Sequence, residues 1–228
     1  MPTSDQKRET IMKRSLIVLA MGVALSCTAC AGGSDTDKVN GSISVAAGQP
    51  ATDVSTVNGA VRIADNAQVK GANTVNGGIT MGDGAQATQL DTVNGSITMG
   101  AKAAVSGEIN AVNGGIRLAN GADVKGKLSN VNGDINLENA HVGGGIETTA
   151  ADITITGSSK VEGGIHVQKP SGLNFSGNNK VPKIVIGPGA TVSGALDFER
   201  EVELHVSDRA TIGPVRGATV QKFSGETP

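Results

Sequence analysis

The chain of 228 residues is almost devoid of aromatic side chains, since it contains no Trp, no Tyr and only three Phe. Side chains on which nucleic-acid bases or sugars stack are therefore scarce. The formal net charge is −2, and no long run of Lys and Arg is present to neutralise phosphates. We therefore expect no nucleic-acid partner. Hydrophobic residues make up 38% of the chain, enough for an aliphatic core in spite of the 33 Gly.

The two cysteines, Cys27 and Cys30, both lie near the N-terminus. A basic pair at 13–14 precedes an apolar run over 16–25, and small residues connect this run to the cysteines. This is the layout of a secretory signal peptide. The run is about half as long as the roughly 20 apolar residues that a membrane-spanning helix needs. The pattern predicts export and cleavage, with Met12 as an alternative start of translation.

This segment resembles a bacterial lipoprotein signal, in which a small residue precedes a Cys that becomes lipidated and is the first mature residue. Cys30, after Thr28 and Ala29, fits that pattern better than Cys27, which is the alternative anchor. An Asp directly after the anchor favours retention at the inner membrane, whereas Ala31 stands there in this chain. The resemblance implies a lipid anchor in the outer membrane, with the protein periplasmic or surface-exposed. An ordinary signal peptide with incidental cysteines is the alternative.

The triplet Val-Asn-Gly occurs six times at spacings of 18, 18, 18, 19 and 19 residues. A shorter period of six residues runs within each unit, so that 18 residues hold three short strands and three corners. The repeat predicts an all-β fold, a single-stranded three-sided parallel β-helix or β-solenoid with about 18 residues per rung. Strand crossovers are normally right-handed, but strict six-residue repeats resemble the left-handed exception, which we favour. A helix is excluded because frequent Gly and a six-residue period do not fit a period of 3.6.

Residues one repeat apart form columns when the rungs stack, and three columns are predicted to face the interior. The first column contains the triplet valines Val39, Val57, Val75, Val93, Val112 and Val131. The second is also β-branched throughout, and consists of Ile43, Val61, Ile79, Ile97, Ile116 and Ile135. The third contains Val45, Ile63, Met81, Met99, Leu118 and Leu137. A column of small residues at a corner contains Ala67, Ala85, Ala103 and Ala122.

The Asn of every triplet precedes a Gly, a pair suited to left-handed backbone conformations at a tight corner. The predicted corner ladder consists of Asn40, Asn58, Asn76, Asn94, Asn113 and Asn132. Stacked Asn side chains can also hydrogen-bond from rung to rung. A structural role is favoured over a polar binding ridge, because every rung has to turn the same corner.

The regularity of the repeat divides the chain into six segments. They are a signal peptide, a linker, regular rungs, a loop rich in Pro and Gly, further rungs, and a C-terminal cap or tail: 1–30, 31–38, 39–167, 168–183, 184–215 and 216–228. About nine rungs are predicted in total. The three Phe, at positions 175, 198 and 223, lie in the last quarter of the chain and are predicted to close the C-terminal end.

Candidate catalytic residues are scarce. The histidines His141, His166 and His205 are separated by 25 and 39 residues, which match no multiple of 18. We therefore interpret them as incidental and exposed. Glu199, Glu201 and Glu203 alternate along a predicted strand and would share one face, but like charges on an exposed strand are simply solvated. We predict no catalytic residue, no metal site and no cofactor.

The repeat resembles that of adhesin-type bacterial β-solenoids, through Thr-Val-Asn-Gly-Ser-Ile at 92–97. It also resembles the polymer-forming bactofilins, through Val-x-Gly-x-aliphatic at 105–109, 124–128 and 161–165. These resemblances imply a rigid rod with a structural, adhesive or envelope-associated role, and with self-association or an envelope or surface partner. The export signal argues against a cytoskeletal role.

Two alternative functions remain at this stage. The six-residue period resembles hexapeptide acyltransferases, which use a His as general base, and solenoid carbonic anhydrases, which hold zinc on three His. The segment 186–194, Ile-Gly-Pro-Gly-Ala-Thr-Val-Ser-Gly, is a local match to that family. The second alternative is a self-assembling filament of the bactofilin type.

Overall fold

The structure is a computed structural model, and it describes residues 36–49, 52–170 and 180–228. The predicted signal peptide, with Cys27 and Cys30, lies outside the described residues, as does Phe175. The described residues form 27 β-strands and contain no helix. Accordingly, no helix among them is long and apolar enough to cross a membrane.

Three parallel sheets, here called A, B and C, contain these strands. Sheet A is formed by β1 (Thr36–Asn40), β3 (Val54–Asn58), β5 (Gly71–Asn76), β8 (Gln89–Asn94), β11 (Ile109–Asn113), β14 (Leu128–Asn132), β17 (Ile146–Thr148), β20 (Ile165–Val167), β23 (Leu196–Phe198) and β26 (Val215–Arg216). Sheet B is formed by β2 (Ile43–Val45), β4 (Val61–Ile63), β6 (Ile79–Met81), β9 (Ile97–Met99), β12 (Ile116–Leu118), β15 (Asp134–Glu138), β18 (Asp152–Thr156), β21 (Lys183–Ile186), β24 (Glu203–Ser207) and β27 (Val220–Phe223). Sheet C is formed by β7 (Gln86–Ala87), β10 (Ala104–Val105), β13 (Asp123–Val124), β16 (His141–Val142), β19 (Lys160–Val161), β22 (Thr191–Val192) and β25 (Thr211–Ile212).

The chain visits the three sheets in turn, and each circuit is one rung of a solenoid. Thr36 pairs with Val54 and Val54 with Ala72, which is a step of 18 residues, whereas Leu90 pairs with Ile109 after 19. The predicted three-sided parallel β-solenoid is therefore confirmed. Sheets A and B contain ten strands each, so there are ten rungs rather than nine.

The tenth rung was missed because its spacing departs from the repeat. β27 pairs with β24 through Leu204 and Val220, only 16 residues apart. This strand lies inside 216–228, the segment assigned to a cap or tail. At the other end β1 begins at Thr36, inside the predicted linker 31–38.

The triplet valines do not face the interior, and that prediction is wrong. Val39 and Val131 are 51% and 43% exposed, and the other four are half-buried. Side chains alternate along a strand, and in β3 the inward residues are Val54 and Thr56, so that Val57 points outward. The inward column next to the corner therefore contains residues that precede the valines, namely Thr56, Thr74, Thr92, Ala111 and Asn130. It continues in the later rungs with Thr148, Val167 and Phe198.

The remaining predicted interior columns are confirmed. All six members of the Ile43 column are at most 3% exposed, and the Ile63 column is buried apart from its first member, half-buried Val45. The alanine column that contains Ala67 is at most 1% exposed. Together with a further buried column in sheet A that includes Leu90, these residues form one aliphatic core.

A longer insertion lies within the eighth rung, between β20 and β21. Ile153 pairs with Ile184, which is 31 residues further along the chain, at the place where the sequence predicts a loop. The insertion leaves the solenoid at the corner between sheets A and B, and residues 171–179 of it lie outside the described residues. The Arg200 guanidinium donates from Nη1 to the Thr149 carbonyl and from Nη2 to the Lys180 carbonyl, both at 3.0 Å. This side chain ties the end of the loop to the rungs on both sides.

The C-terminal end is less closed than the sequence predicts. Phe198 is 7% exposed and packs inside the ninth rung instead of covering the end. Val215, Val220 and Phe223 of the last rung are only half-buried. Within the described residues the end of the rod therefore presents apolar side chains and strands that have a neighbour on one side only.

From the second triplet onward, each triplet glycine lies too close to the preceding one to carry a side chain. A Cβ on Gly77 would lie 1.9 Å from the carbonyl oxygen of Gly59, and a Cβ on Gly95 would lie 1.9 Å from that of Gly77. Neither Gly77 nor Gly95 has a positive φ. Glycine is thus required at this corner chiefly for space, which corrects the expectation of left-handed backbone throughout. Non-Gly residues with positive φ, such as Asn66 and Lys102, lie instead at the corner between sheets B and C.

We expect Gly77→Ala to lower the free energy of unfolding by about 3 kcal/mol, the upper range for an overpacked site. Gly41→Ala is the matched control, because Gly41 belongs to the same column but a Cβ there would meet nothing within 4 Å. Its φ of 109° leaves a strain cost of only about 1 kcal/mol. Urea unfolding measures both variants, and equal losses would contradict the packing explanation.

Candidate functional site

The predicted corner ladder lies between sheets A and B and connects successive rungs. Asn58 Nδ2 donates to Asn40 Oδ1 at 3.0 Å, and Asn76 Nδ2 donates to Asn58 Oδ1 at 2.8 Å. Asn94 continues the series to Asn76 at 3.0 Å, and Asn113 continues it to Asn94 at 3.1 Å. All of these side chains are exposed. The ladder is a continuous row of amide groups, in which each central Asn donates to one neighbour and accepts from the other.

Asn132 is the exception in the ladder. It pairs with Asn113 through the backbone register of sheet A. Its side chain, however, makes no hydrogen bond within the described part of the chain. The row of amide bonds therefore ends at Asn113, one rung before the last triplet.

The Thr before the triplet also connects rungs, which the sequence analysis missed. Thr74 Oγ1 donates to the Gly59 carbonyl at 2.9 Å, and Thr92 Oγ1 donates to the Gly77 carbonyl at 3.0 Å. Thr56 does the same to the Gly41 carbonyl at 3.0 Å. These hydroxyls are buried, so the bond removes the cost of an unpaired polar group. The recurrence of Thr at −1 to the triplet was the available signal.

Asn130 takes the place of this Thr in the sixth rung. Its Nδ2 donates to the Gly114 carbonyl at 3.1 Å, which reproduces the Thr interaction. Its second polar atom, Oδ1, is buried and has no hydrogen-bond partner, although Asn130 is only 3% exposed. A buried acceptor without a donor costs stability.

A polar network on the outer face of sheet A surrounds Asp91. This carboxylate is 7% exposed, and it accepts from Asn110 Nδ2 and Gln89 Nε2, both at 2.8 Å. Desolvation by burial raises the pKa of Asp91, and the two amide donors oppose this shift only in part. Both carboxylate oxygens are occupied by amides of the same chain, so the group is poorly placed to bind a ligand.

A second polar cluster lies on sheet C around His141. The ring Nδ1 lies 2.6 Å from Asp123 Oδ1, and Nε2 lies 3.4 Å from Glu162 Oε1. Burial opposes ionisation of Asp123, but hydrogen bonds from Lys125 and His141 outweigh it and lower its pKa. Both ring nitrogens face carboxylates that also pair with lysines, Lys125 with Asp123 and Lys160 with Glu162. Neither ring nitrogen of His141 is therefore free to contact a substrate.

The three histidines lie in three different sheets. His141 is in β16 of sheet C, His166 in β20 of sheet A and His205 in β24 of sheet B. His166 Nε2 lies 3.2 Å from Glu199 Oε1, whereas His205 Nε2 is 4.0 Å from Glu203 Oε2. One chain therefore cannot bring them together on a single zinc ion. No group of three or more His, Cys, Asp or Glu with metal-binding geometry occurs among the described residues.

The three glutamates near the ninth rung do not share one strand. Only Glu203 belongs to a strand, β24, whereas Glu199 and Glu201 lie in the turn that precedes it. The prediction of a single face is wrong because the strand begins only at Glu203, four residues after Glu199. Glu199 bonds His166 and the Lys169 amide instead.

A shallow depression of about 230 Å³ lies beside β17 on sheet A. Gly144, Gly145, Gly163, Glu147 and His166 are among the residues that line it. Lys127 also lines it, and its Nζ pairs with Glu147 Oε2 at 2.5 Å. The sequence signal was the Gly-Gly-Gly run at 143–145, since glycines at a corner leave a gap between rungs.

The comparisons with known proteins give no match. No protein-family model matches the chain, and neither a curated protein nor a solved structure matches it. The fold is therefore established by the structure itself. The resemblance to adhesin-type solenoids and bactofilins depends on the short motifs at 92–97, 105–109, 124–128 and 161–165.

We expect Asp91→Asn to stabilise the protein at neutral pH by about 1 kcal/mol, the scale of one hydrogen-bonded group. The folded-state pKa of Asp91 is raised, so its ionised form lowers stability above that pKa, and the loss disappears as the pH falls toward the unfolded value near 3.9. The Asn introduced at position 91 keeps an oxygen that accepts from Asn110 Nδ2, and Gln89 can rotate its amide so that its oxygen accepts from the new NH2 group. The advantage of the variant should therefore shrink on acidification.

Asp197→Asn is the matched control for this measurement. Asp197 occupies the corresponding outward position of sheet A but is 44% exposed and lies 3.8 Å from Arg216. We expect it to change stability by less than about 0.5 kcal/mol. Urea unfolding of both variants at several pH values measures the difference. An advantage of Asp91→Asn that is constant with pH would contradict the assignment.

Proposed function

We propose that the protein is an outer-membrane lipoprotein whose solenoid is a rigid, non-catalytic rod with a structural, adhesive or envelope-associated role. The observation that carries this proposal is that the repeated residues interact with neighbouring rungs. Thr, Asn and Gly of the triplet region bond or pack against the neighbouring rung instead of converging on a pocket, as Thr74, Asn76 and Gly77 illustrate. The most strictly repeated residues therefore maintain the shape of the rod.

The arrangement of the sheets supports rigidity as the functional property. Sheets A and B each continue through ten strands, and sheet C through seven. A solenoid is stabilised by contacts between adjacent rungs, so an unbroken series transmits stiffness along its axis. The charged side chains that line the depression beside β17, Lys127 and Glu147, already pair with each other, which favours recognition along the outer faces or at the end of the rod over a small-molecule pocket.

The chemistry of the described residues supports a non-catalytic role. A hexapeptide-type enzyme needs a His with a free ring nitrogen or three His on one zinc ion. Here His141 lies between two carboxylates, and His166 and His205 belong to other sheets. A zinc site on three His would therefore require a second chain, and a general-base enzyme would have to use His166 or His205.

The anchor is supported by the sequence that precedes the rod. The apolar run, the small residues and Cys30 have the layout of a lipoprotein signal. Thr36, where β1 begins, is six positions after Cys30, and an extended chain of six Cα–Cα steps spans at most about 22 Å. A lipid on Cys30 would hold the first rung close to the membrane and leave the C-terminal end as the far end.

A self-assembling role is the second candidate, and the last rung favours it. Val215, Val220 and Phe223 are half-buried, and β26 and β27 each have one strand neighbour. Unpaired strand edges with apolar side chains tend to pair with another chain. Sedimentation of the full chain in detergent distinguishes the two: a monomer supports the separate rod, and a concentration-dependent polymer supports the filament.

We expect metabolic labelling with a radioactive fatty acid to label the parent chain and Cys27→Ala, but not Cys30→Ala. Ala31→Asp should keep the label and move the protein from the outer to the inner membrane fraction, because Asp after the anchor favours retention. Separation of the two membranes on a density gradient measures this shift. If neither the parent nor any variant is labelled, the anchor and the proposed location are both wrong.

A further inference from the structure

Seven Asn-Gly pairs occur in the chain. In such a pair the backbone nitrogen of Gly can approach the preceding side chain easily, since Gly has no Cβ to hinder it. We propose that one pair, Asn132-Gly133, is a site of spontaneous deamidation in the folded protein, whereas the fold protects the other six. The protected pairs begin at Asn40, Asn58, Asn76, Asn94, Asn113 and Asn120.

The reaction needs only water. The Gly nitrogen attacks Cγ of the Asn side chain, the new N–C bond closes a succinimide ring, the Cγ–Nδ2 bond breaks, and ammonia leaves with the proton from the Gly nitrogen. Water then opens the ring at either carbonyl, which gives an aspartate or an isoaspartate with one additional backbone methylene. A hydrogen bond that holds the Gly N–H or the Asn amide opposes the first step.

In all six protected pairs the Gly amide is held, and in five of them the Asn side chain is held as well. The Gly77 amide donates to the Asn94 carbonyl at 3.0 Å, and the Gly95 amide donates to the Asn113 carbonyl at 2.9 Å. The same bond is made by the other four glycines, Gly41, Gly59, Gly114 and Gly121. The Asn side chains from 40 to 113 in the corner ladder are also hydrogen-bonded to one another. Attack at these positions requires the rung to open first.

At Asn132-Gly133 neither group is held. The Asn132 side chain is exposed and makes no hydrogen bond within the described residues, and the Gly133 amide donates to no backbone carbonyl within them. The cause lies in the next rung, where Thr149-Ala150 stands in place of the triplet. There the Ala150 amide donates to the Val131 carbonyl at 2.9 Å, and the pattern of the earlier corners ends.

One further feature of the same rung favours the reaction, and a second affects its product. Asn130, two residues before Asn132, has the buried and unpaired Oδ1, which lowers the stability of this rung against local opening. Asp134 follows Gly133 directly and is exposed. A new carboxylate at position 132 would therefore lie near an existing one, and an isoaspartate would lengthen the backbone between β14 and β15.

The test is peptide mapping of the full chain after incubation in mildly alkaline buffer. Cleavage after Lys and Arg places Asn132 in 128–160, Asn113 in 103–117 and Asn120 in 118–125, so that mass spectrometry follows each separately. We expect Asn132 to deamidate at least about tenfold faster than Asn113 or Asn120, the factor that the free energy of a hydrogen bond or two provides. Fragmentation of 128–160 assigns the site within the peptide.

The same incubation in concentrated urea is the control for sequence effects. Unfolded, the Asn-Gly pairs should react at similar rates, because the protection comes from the rungs and not from the dipeptide. Asn132→Ser should leave 128–160 unmodified in the folded protein. The proposal is overturned if Asn113 reacts as fast as Asn132 in native buffer, or if the modification of 128–160 persists in the variant.

Discussion

The close approach of backbone at the corner between sheets A and B is the constraint on which this solenoid depends. A Cβ on Gly77 would lie 1.9 Å from the Gly59 carbonyl oxygen, so after the first rung only Gly fits in this column. The same carbonyl accepts the buried hydroxyl of Thr74. The Gly column therefore packs against the same carbonyl oxygen to which the Thr hydroxyl donates, and the Asn side chain bonds to the Asn of the neighbouring rung. These contacts together fix both the spacing and the register of successive rungs.

Because most residues of the motif contact the rod itself, few of them remain exposed to a partner. Thr points into the rod, Asn and Gly contact the neighbouring rung, and only Val presents apolar surface outward, with Val39 and Val131 the most exposed. A rod made in this way is uniform along five or six rungs and changes character afterwards. The loop after β20, the depression near Glu147 and the half-open last rung all lie in the second half.

The period of 18 residues was enough to predict the three-sided solenoid, because side chains that repeat in stacked rungs must be equivalent. It did not predict which face the triplet valine occupies, since Val57 and Thr56 are both suited to strands and only the position of the corner decides between them. The sequence does not predict the tenth rung, because the 16-residue step from Leu204 to Val220 departs from the repeat. The sequence also does not predict the hydrogen bonds from Thr to Gly, because they join residues 15 apart and no local motif reveals that spacing.

The most direct test restores the motif where the chain departs from it. In Asn130→Thr the hydroxyl would donate to the Gly114 carbonyl, as Thr92 does to Gly77, and the unpaired buried Oδ1 would be removed. Asn130→Val has the same shape without the donor. If the motif acts as described, urea unfolding will show Asn130→Thr to be more stable than the parent and than Asn130→Val, by about 1 kcal/mol in each case. A Thr variant no more stable than the Val variant would contradict the account.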